Sequence, residues 1–319
     1  MRVHLDTDLG SDTDDVAALA MLLGAHDVEL IGVTTSIDPG GRRAGFVAEV
    51  LREAGRDEVP VAAGAAVSLT TLVMPGHIPE DAGRWPEPVA PVPSPAGAAT
   101  RLLADSIDAG ATIIVIGPYT NLALLGVERP DVLGRARVVL MGGWFDLSAE
   151  GLPPCGPDQD WNVQCDTTAA DIVVRCAGDL TVVPLPLTLR VHLRGEQLAR
   201  LRAAGSLGRL IALQTERHGE EEGNVELGRN HPALPDDLLN FQHDPLACAA
   251  ALGWPCVTLE ERRIVAVHEG DLLRFVDHDE GRSCRLGVDL DPDTFDRMWL
   301  AAVEAAHTGD VALKRTTGR

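Results

Sequence analysis

The chain has 319 residues, and 45% of them are hydrophobic, which is enough to bury the core of one large domain. Its 48 acidic side chains outnumber the 27 basic ones, and the formal net charge of −21 argues against nucleic acid or a membrane surface as a partner. A single lysine, Lys314, leaves almost no residue for Schiff-base or P-loop chemistry.

The first half alternates short apolar strands with helices. Predicted strands are 3–5, 29–35, 59–62, 112–116, 138–141 and 180–187. Predicted helices are 15–23, 42–54, one ending at 108, 121–125 and 167–176, with a Pro-rich loop over 74–95. Apolar strands separated by helices indicate a mostly parallel open sheet of Rossmann-type topology, covered by helices on both faces. Ligands bind beyond the carboxyl ends of such strands, so the loops after Leu5, Thr35, Ile116 and Met141 should share one rim.

The second half has a different pattern. It predicts a helix over 196–218, a charged loop over 219–237 and an Ala-rich helix over 245–252. Three antiparallel segments follow at 257–267, 272–277 and 283–288, and a helix over 291–307 closes the chain. Without a repeat or a low-complexity linker, residues 1–319 form a single α/β domain with a small C-terminal antiparallel β addition.

A cluster of carboxylates follows the first predicted strand. Its members are Asp6, Asp8, Asp12, Asp14 and Asp15. Helix capping explains one or two acidic residues at such a position. Five mutually repelling carboxylates call for a cation, and all-oxygen ligands favour Ca²⁺ or Mg²⁺ over zinc. The sequence therefore predicts a metal site here.

Two other readings of the cluster are weaker. An EF-hand that starts at Asp6 requires Gly at its sixth position and Glu at its twelfth, where the chain has Ser11 and Ala17. A haloacid-dehalogenase-type phosphatase also begins with Asp-x-Asp after a strand, but its chemistry usually uses a later lysine to hold phosphate. The body of this domain has none.

Several blocks in this order resemble the inosine–uridine-preferring nucleoside hydrolases. The first is DTDLGSDTDDVA at 6–17, followed by IGVTT at 31–35. The others are IGPYTNLA at 116–123, MGG at 141–143, DWNVQCD at 160–166 and HDP at 243–245. One block alone is weak, whereas five in register over nearly the whole chain are specific.

The resemblance implies Ca²⁺-dependent hydrolysis of a ribonucleoside to ribose and free base, as in purine and pyrimidine salvage. The implied metal ligands are Asp8, Asp15, the backbone carbonyl of Ile116 and Asp244, with Asp8 also the general base. The implied ribose-binding residues are Asp14, Asn162 and Asp160, the last standing where a Glu is usual. Asp38 is the nearest substitute for an Asn that the family carries after its second strand. The resemblance also implies a homodimer or homotetramer.

Three further residues have alternative interpretations. Beside an Asp, a lone His is usually structural, but the other blocks make His243 the leading acid for the departing base. We expect Trp161 to be a core aromatic residue. His77 lies where the family carries another loop histidine, but its surroundings diverge, so we expect no catalytic role for it.

Departures from the family pattern leave other functions open. The 10–14 segment is two residues longer than the usual motif, which leaves Asp12 without an assigned role, and 36–39 and 151–156 lack the usual Asn residues. Another N-ribosyl substrate is therefore the first alternative. The second is a calcium-containing nucleoside or ribose binder without turnover, although the presence of both Asp8 and His243 argues against it.

The six cysteines predict reduced thiols, because they include no CxxC pair and are spread thinly over the chain. The chain also has no signal-peptide pattern and no apolar stretch of about 18 residues. Together these features predict a cytoplasmic protein.

Overall fold

A central sheet organises the computed structural model, which describes residues 1–10, 12–78, 83–147 and 150–306. Among these residues nine strands form the sheet, in the order β10-β9-β11-β6-β5-β4-β1-β2-β3, and β7 and β8 form a separate pair. The strands are β1 Arg2–Thr7, β2 Glu29–Thr35, β3 Val61–Ala63, β4 Thr112–Val115, β5 Arg137–Met141, β6 Asp179–Val183, β7 His192–Arg194, β8 Leu238–Phe241, β9 Val257–Glu269, β10 Leu272–Asp277 and β11 Arg282–Leu290.

Helices cover both faces of this sheet. They are α1 Asp14–Gly24, α2 Arg42–Glu53, α3 Ala98–Asp108, α4 Thr120–Glu128, α5 Pro130–Leu133, α6 Trp161–Gln164, α7 Thr167–Cys176, α8 Leu185–Thr188, α9 Leu198–Ala203, α10 Gly205–Glu222, α11 Asn224–Asn230, α12 His243–Ala251 and α13 Pro292–Ala306, with 3₁₀ turns at Pro157–Gln159 and Gly195–Gln197. No helix in the described ranges is both long and apolar enough to cross a membrane.

Alternating side chains of the central strands enter two separate cores. In β5, Val139 and Met141 join the core that contains α1, α12 and α13, whereas Val138 and Leu140 join the core of α3, α4 and α7. This alternation follows from the period of two in a strand, and it explains why strands buried on both faces read as continuous apolar runs.

The predicted fold class is confirmed. Strands β1 to β6 pair in parallel, and the antiparallel strands β9 and β10 extend the same sheet through β11, which runs parallel to β6. The addition is therefore continuous with the main sheet. The predicted last helix ends at Ala306, and its final residue, 307, lies outside the described residues.

Three predicted elements differ in the structure. The helix predicted over 196–218 is divided at Ala204 into α9 and α10. The segment 180–187 divides into β6 and α8. The charged loop predicted over 219–237 is helical as far as Asn230, because α10 continues through Gly219 and only Gly223, with a φ of +68°, ends it. Gly219 is not a break: a Cβ there would lie 2.9 Å from the carbonyl oxygen of Leu239, so close packing requires glycine.

Candidate active site

A cavity of about 1060 Å³ opens at the carboxyl edge of the parallel strands. Eight of the predicted site residues line it: Asp8, Asp14, Asp15, Ile116, Asp160, Asn162, His243 and Asp244. The topology explains this convergence, because β1, β4 and β5 are adjacent and parallel, so that the residues that follow them reach the same edge.

Three carboxylates form the most compact group in the cavity. Asp14 and Asp15 begin α1, and Asp244 lies in the first turn of α12. One oxygen from each lies within 4.8 Å of the others, and each residue is at most 4% exposed. The backbone N–H of Asp244 donates to Asp14 Oδ2 at 3.2 Å, and Thr7 Oγ1 donates to Asp15. Two helix N-termini therefore direct positive dipole ends at one acidic site.

Arg43 offsets only part of the effect of burial and repulsion at Asp15 in this group. Burial, followed by repulsion from the neighbouring carboxylates, raises the pKa of Asp14, Asp15 and Asp244 well above the ordinary value. Carboxylates held this close at neutral pH require either protons or a cation. The donor set is all oxygen, so the cluster fits a hard divalent metal ion.

Asp8 lies beside the compact group, and its carboxylate is oriented by an aromatic side chain. Trp161 Nε1 donates to Asp8 Oδ2 at 3.2 Å. Beneath it, the buried Arg43 donates to the backbone carbonyls of Asp8 and Ile37. Burial raises the pKa of Asp8, and the Arg43 charge opposes that rise. Asp8 is thus a fixed carboxylate with one oxygen hydrogen-bonded to a neighbour across the cavity.

The predicted ribose residues are tied to the strand ends. Asn162 Nδ2 donates to the carbonyl oxygens of Ile116 at 3.1 Å and Met141 at 3.3 Å, which leaves Asn162 Oδ1 as the acceptor. Asp160 caps α6 by accepting from Val163 N at 3.2 Å. Burial raises the pKa of Asp160 to about 6, against the opposing effect of its backbone hydrogen bonds.

His243 is half-buried at the first turn of α12. Its Nδ1 lies 2.7 Å from Thr188 Oγ1, and this hydroxyl donates to the carbonyl of Leu185 at 2.8 Å. Because Thr has one hydroxyl proton, we assign the proton of this contact to Nδ1 of His243, which leaves Nε2 free. The ring also stacks on Phe241 at 5.5 Å. Burial lowers the pKa of His243 to about 4, although Asp12 opposes that change.

Two expectations about individual residues need correction. Asp38 does not line the cavity; it accepts from Arg43 N at 2.8 Å, Ala44 N at 3.0 Å and Thr35 Oγ1 at 2.7 Å, so it caps the start of α2. Trp161 is not a core residue, because it is 51% exposed and lines the cavity. The short helix α6 buries Asn162 and turns the adjacent Trp161 outward.

The mouth of the cavity contains side chains of the segments 72–87 and 219–237, which the sequence predicts to flank the rim. His77 is exposed and lines the mouth. Glu221 and Glu222 are exposed, as expected of a charged run, but they also line the cavity, and Glu221 forms an ion pair with Arg84. No signal in the sequence links Arg84 to Glu221, since 137 positions separate them.

Asp12 and His218 were also missed as neighbours. His218 Nε2 lies 3.7 Å from Asp12 Oδ1, and Asn240 Nδ2 donates to the same oxygen at 2.5 Å. Both Asp12 and His218 line the cavity. Although burial acts to raise the pKa of Asp12, His218, His243 and Asn240 together hold it below its ordinary value. The two-residue insertion was the available signal, but it does not indicate a partner on α10.

The chain is similar to known proteins of one family. The family model described as inosine-uridine preferring nucleoside hydrolase matches residues 3–297. The chain is 31% identical over 211 residues to the pyrimidine-specific ribonucleoside hydrolase of Shewanella woodyi, covering 63% of this chain and 65% of that protein. It is 29% identical over 237 residues to the protein of the same description in Salmonella agona, covering 70% and 74%.

A solved structure shares the fold. The purine-preferring ribonucleoside hydrolase from Gardnerella vaginalis superposes with a TM-score of 0.79 over 97% of this chain and 100% of that chain. The sequence identity is 21%, so this likeness concerns the fold alone.

Proposed function

Because the chain belongs to the inosine-uridine preferring nucleoside hydrolases, a family of N-glycosidases, we propose that it hydrolyses ribonucleosides to ribose and free base with Ca²⁺ as its metal. One observation carries the proposal. The buried carboxylates of Asp14, Asp15 and Asp244 share the cavity with Asp8, Asn162 and His243, so a cation site, a general base, a sugar contact and a leaving-group contact adjoin one another.

The metal part of the proposal rests on the donor set. Asp8, Asp15, the carbonyl of Ile116 and Asp244 would hold Ca²⁺, and the structure adds Asp14 to the candidates. Ca²⁺ accepts six to eight oxygen ligands in flexible geometry, which suits a mixed set of carboxylates and a carbonyl. When bound, the cation supplies a positive field that makes a water molecule easier to deprotonate.

The carboxylate of Asp8 takes the proton from the attacking water. Its hydrogen bond from Trp161 Nε1 holds Oδ2, so the other oxygen is the one free to accept. The water oxygen forms a bond to the anomeric carbon, the C–N bond breaks, and its electron pair leaves with the base. Asp14, Asp160 and the Oδ1 of Asn162 accept from the ribose hydroxyls, which strengthens binding as the sugar approaches an oxocarbenium ion.

His243 acts on the departing base. The Thr188 contact fixes its ring, and Nε2 is the nitrogen available to the base. As an acid it must carry a second proton on Nε2, which it transfers to the base as the C–N bond breaks. The number of protons on the enzyme is then unchanged, because Asp8 gains one proton from water and His243 gives one to the base.

The decisive experiment incubates the purified chain with a panel of purine and pyrimidine ribonucleosides and separates ribose from free base by chromatography. We expect both products in equal amounts, and their absence with every nucleoside would reject the proposal. Asp8→Asn should abolish release, while Asp236→Asn, an exposed residue outside the cavity, serves as the matched control.

A second candidate is a larger N-ribosyl substrate. The cavity volume of about 1060 Å³ lies just above the range for small-molecule sites, about 300–1,000 Å³. His77, Arg84 and Glu222 line its mouth, where a substituent beyond the base would lie. Including base-substituted ribosides in the panel distinguishes the two candidates by their relative kcat/KM.

We also propose a cytoplasmic location and a homodimer or homotetramer. Light scattering of the purified chain tests the assembly, and cell fractionation tests the location.

A further inference from the structure

Asp12, which lies in the inserted segment, connects three parts of the fold. Its Oδ1 accepts from Asn240 on β8, lies 3.7 Å from His218 on α10, and accepts from the backbone N–H of Thr13 at the start of α1. Asp12 is not one of the three carboxylates that approach each other within 4.8 Å. Asp12 instead contacts polar groups around the cavity wall.

His218 is held in that wall with unused hydrogen-bonding capacity. Its side chain is only 12% exposed, and it lines the same cavity as His243. Its Nδ1 is buried and, among the described residues, has no hydrogen-bond partner. The distance of 3.7 Å from Nε2 to Asp12 allows an ion pair but exceeds a hydrogen bond.

An unsatisfied buried nitrogen costs free energy, so a buried imidazole of this kind needs a reason. Two neighbouring side chains, Asp12 and Asn240, fix the wall beside it, and the cavity is open on its other side. A ligand in the cavity cannot reach the buried Nδ1, so the nitrogen of His218 that it can contact is Nε2, which lies 3.7 Å from Asp12 Oδ1.

We propose that His218 is a second contact for the leaving base and that Asp12 is its positioning residue. This inference rests on the proposed hydrolase function. As the C–N bond breaks, the electron pair stays on the base and negative charge develops on its ring nitrogens and carbonyl oxygens. An imidazole N–H that donates to this charge stabilises the transition state more than the substrate.

The alternative is a purely structural pair that ties α10 to the start of α1. Loss of a structural pair lowers kcat/KM for all substrates alike. Loss of a leaving-group contact lowers kcat/KM most for the substrates whose leaving group needs stabilisation. Nitrophenolate leaves without protonation, so 4-nitrophenyl β-D-ribofuranoside reports on the sugar and water side of the site alone.

The test compares kcat/KM for inosine, uridine and 4-nitrophenyl riboside in the full chain. His218→Gln should lower kcat/KM for both nucleosides about 100-fold, at the lower end of the range for acid–base groups, and leave the nitrophenyl riboside unchanged. Asp12→Asn should produce a smaller loss of the same selectivity, since it keeps the acceptor for Asn240. His268→Gln and Asp236→Asn, both exposed and outside the cavity, are the matched controls.

A double-mutant cycle tests the positioning role. If Asp12 acts through His218, then Asp12→Asn should have no further effect in a His218→Gln background. Additive losses would overturn the positioning role, and equal losses on all three substrates, or no loss, would overturn the base contact. Should His218→Gln fail to fold by circular dichroism, His218→Asn and Asp12→Asn provide the same comparison.

The experiments can reject the hydrolase function and the role of His218 and Asp12 separately. A wild-type chain that releases ribose from neither nucleosides nor the nitrophenyl riboside contradicts the hydrolase function itself. A wild-type chain that hydrolyses them, with variants that show no selectivity, contradicts only the role of His218 and Asp12.

Discussion

Removal of divalent cations should destabilise the folded chain, because the compact carboxylate group is then left with its own repulsion. The oxygens of Asp14, Asp15 and Asp244 lie within 4.8 Å of one another. With an effective dielectric constant of about 20, two charges at that distance repel by about 3 kcal/mol, and three such pairs by about 10 kcal/mol. That energy is comparable with the whole stability of a typical domain, so full ionisation at neutral pH requires a compensating cation.

The expected gain from metal follows from mass action. A free Ca²⁺ concentration 100 times the dissociation constant stabilises the folded state by about 2.7 kcal/mol, which raises Tm by about 4 °C for a chain of this size. Scanning calorimetry at pH 7, in chelator and then in excess Ca²⁺, measures the shift. Asp236→Asn, outside the cavity, should show the same shift as the wild type.

Asp15→Asn tests whether repulsion among these carboxylates destabilises the fold. The variant keeps an oxygen that can accept from Thr7, but it removes one charge from the group. In chelator it should therefore melt above the wild type, and Ca²⁺ should raise its Tm much less. A variant that melts below the wild type in chelator, or a wild type insensitive to Ca²⁺, would refute the electrostatic reasoning.

Three other changes test the site separately. Asp8→Asn should lower kcat by about 10³-fold or more in a chain that still folds, and near-normal turnover would remove Asp8 from the base role. His243→Ala should slow purine nucleosides more than pyrimidine nucleosides with good leaving groups, and equal losses would indicate a structural histidine. Burial raises the pKa of Asp160 to about 6, so this carboxylate binds a proton more tightly in the folded protein than in the unfolded chain. Its ionisation therefore lowers the free energy of unfolding as pH rises from about 4 to 6. Asp160→Asn should then gain about 3 kcal/mol on the wild type between pH 4 and pH 7, measured by urea unfolding in chelator, and a pH-independent difference would contradict that pKa.

The fold and the carboxylates between β1 and α1 could be predicted from local sequence. Asp8 comes directly after β1 and Asp14 begins α1. Because parallel strands end at one edge, the order of elements was enough to predict that both lie near Ile116. Asp244 is different, because it lies 230 positions beyond Asp14 and only the family resemblance assigned it to the site.

Tertiary packing decided the features that the sequence missed. Asp38 follows β2 at the expected rim, but three donors around the start of α2 occupy its carboxylate. Gly219 was predicted to end the helix, but it lies inside α10, where close contact with Leu239 leaves room only for glycine. Extension of α10 brings the last turn, with Glu221 and Glu222, to the cavity mouth. No local pattern carries that information.

Metal-dependent release of ribose tests the hydrolase function and the role of the metal ion together. The measurement is reducing sugar formed from inosine and uridine by the full chain, first in chelator and then after addition of excess Ca²⁺. We expect no release in chelator and turnover that returns with Ca²⁺. Release that is unaffected by the chelator would contradict the metal-assisted mechanism, and no release under either condition would contradict the hydrolase function.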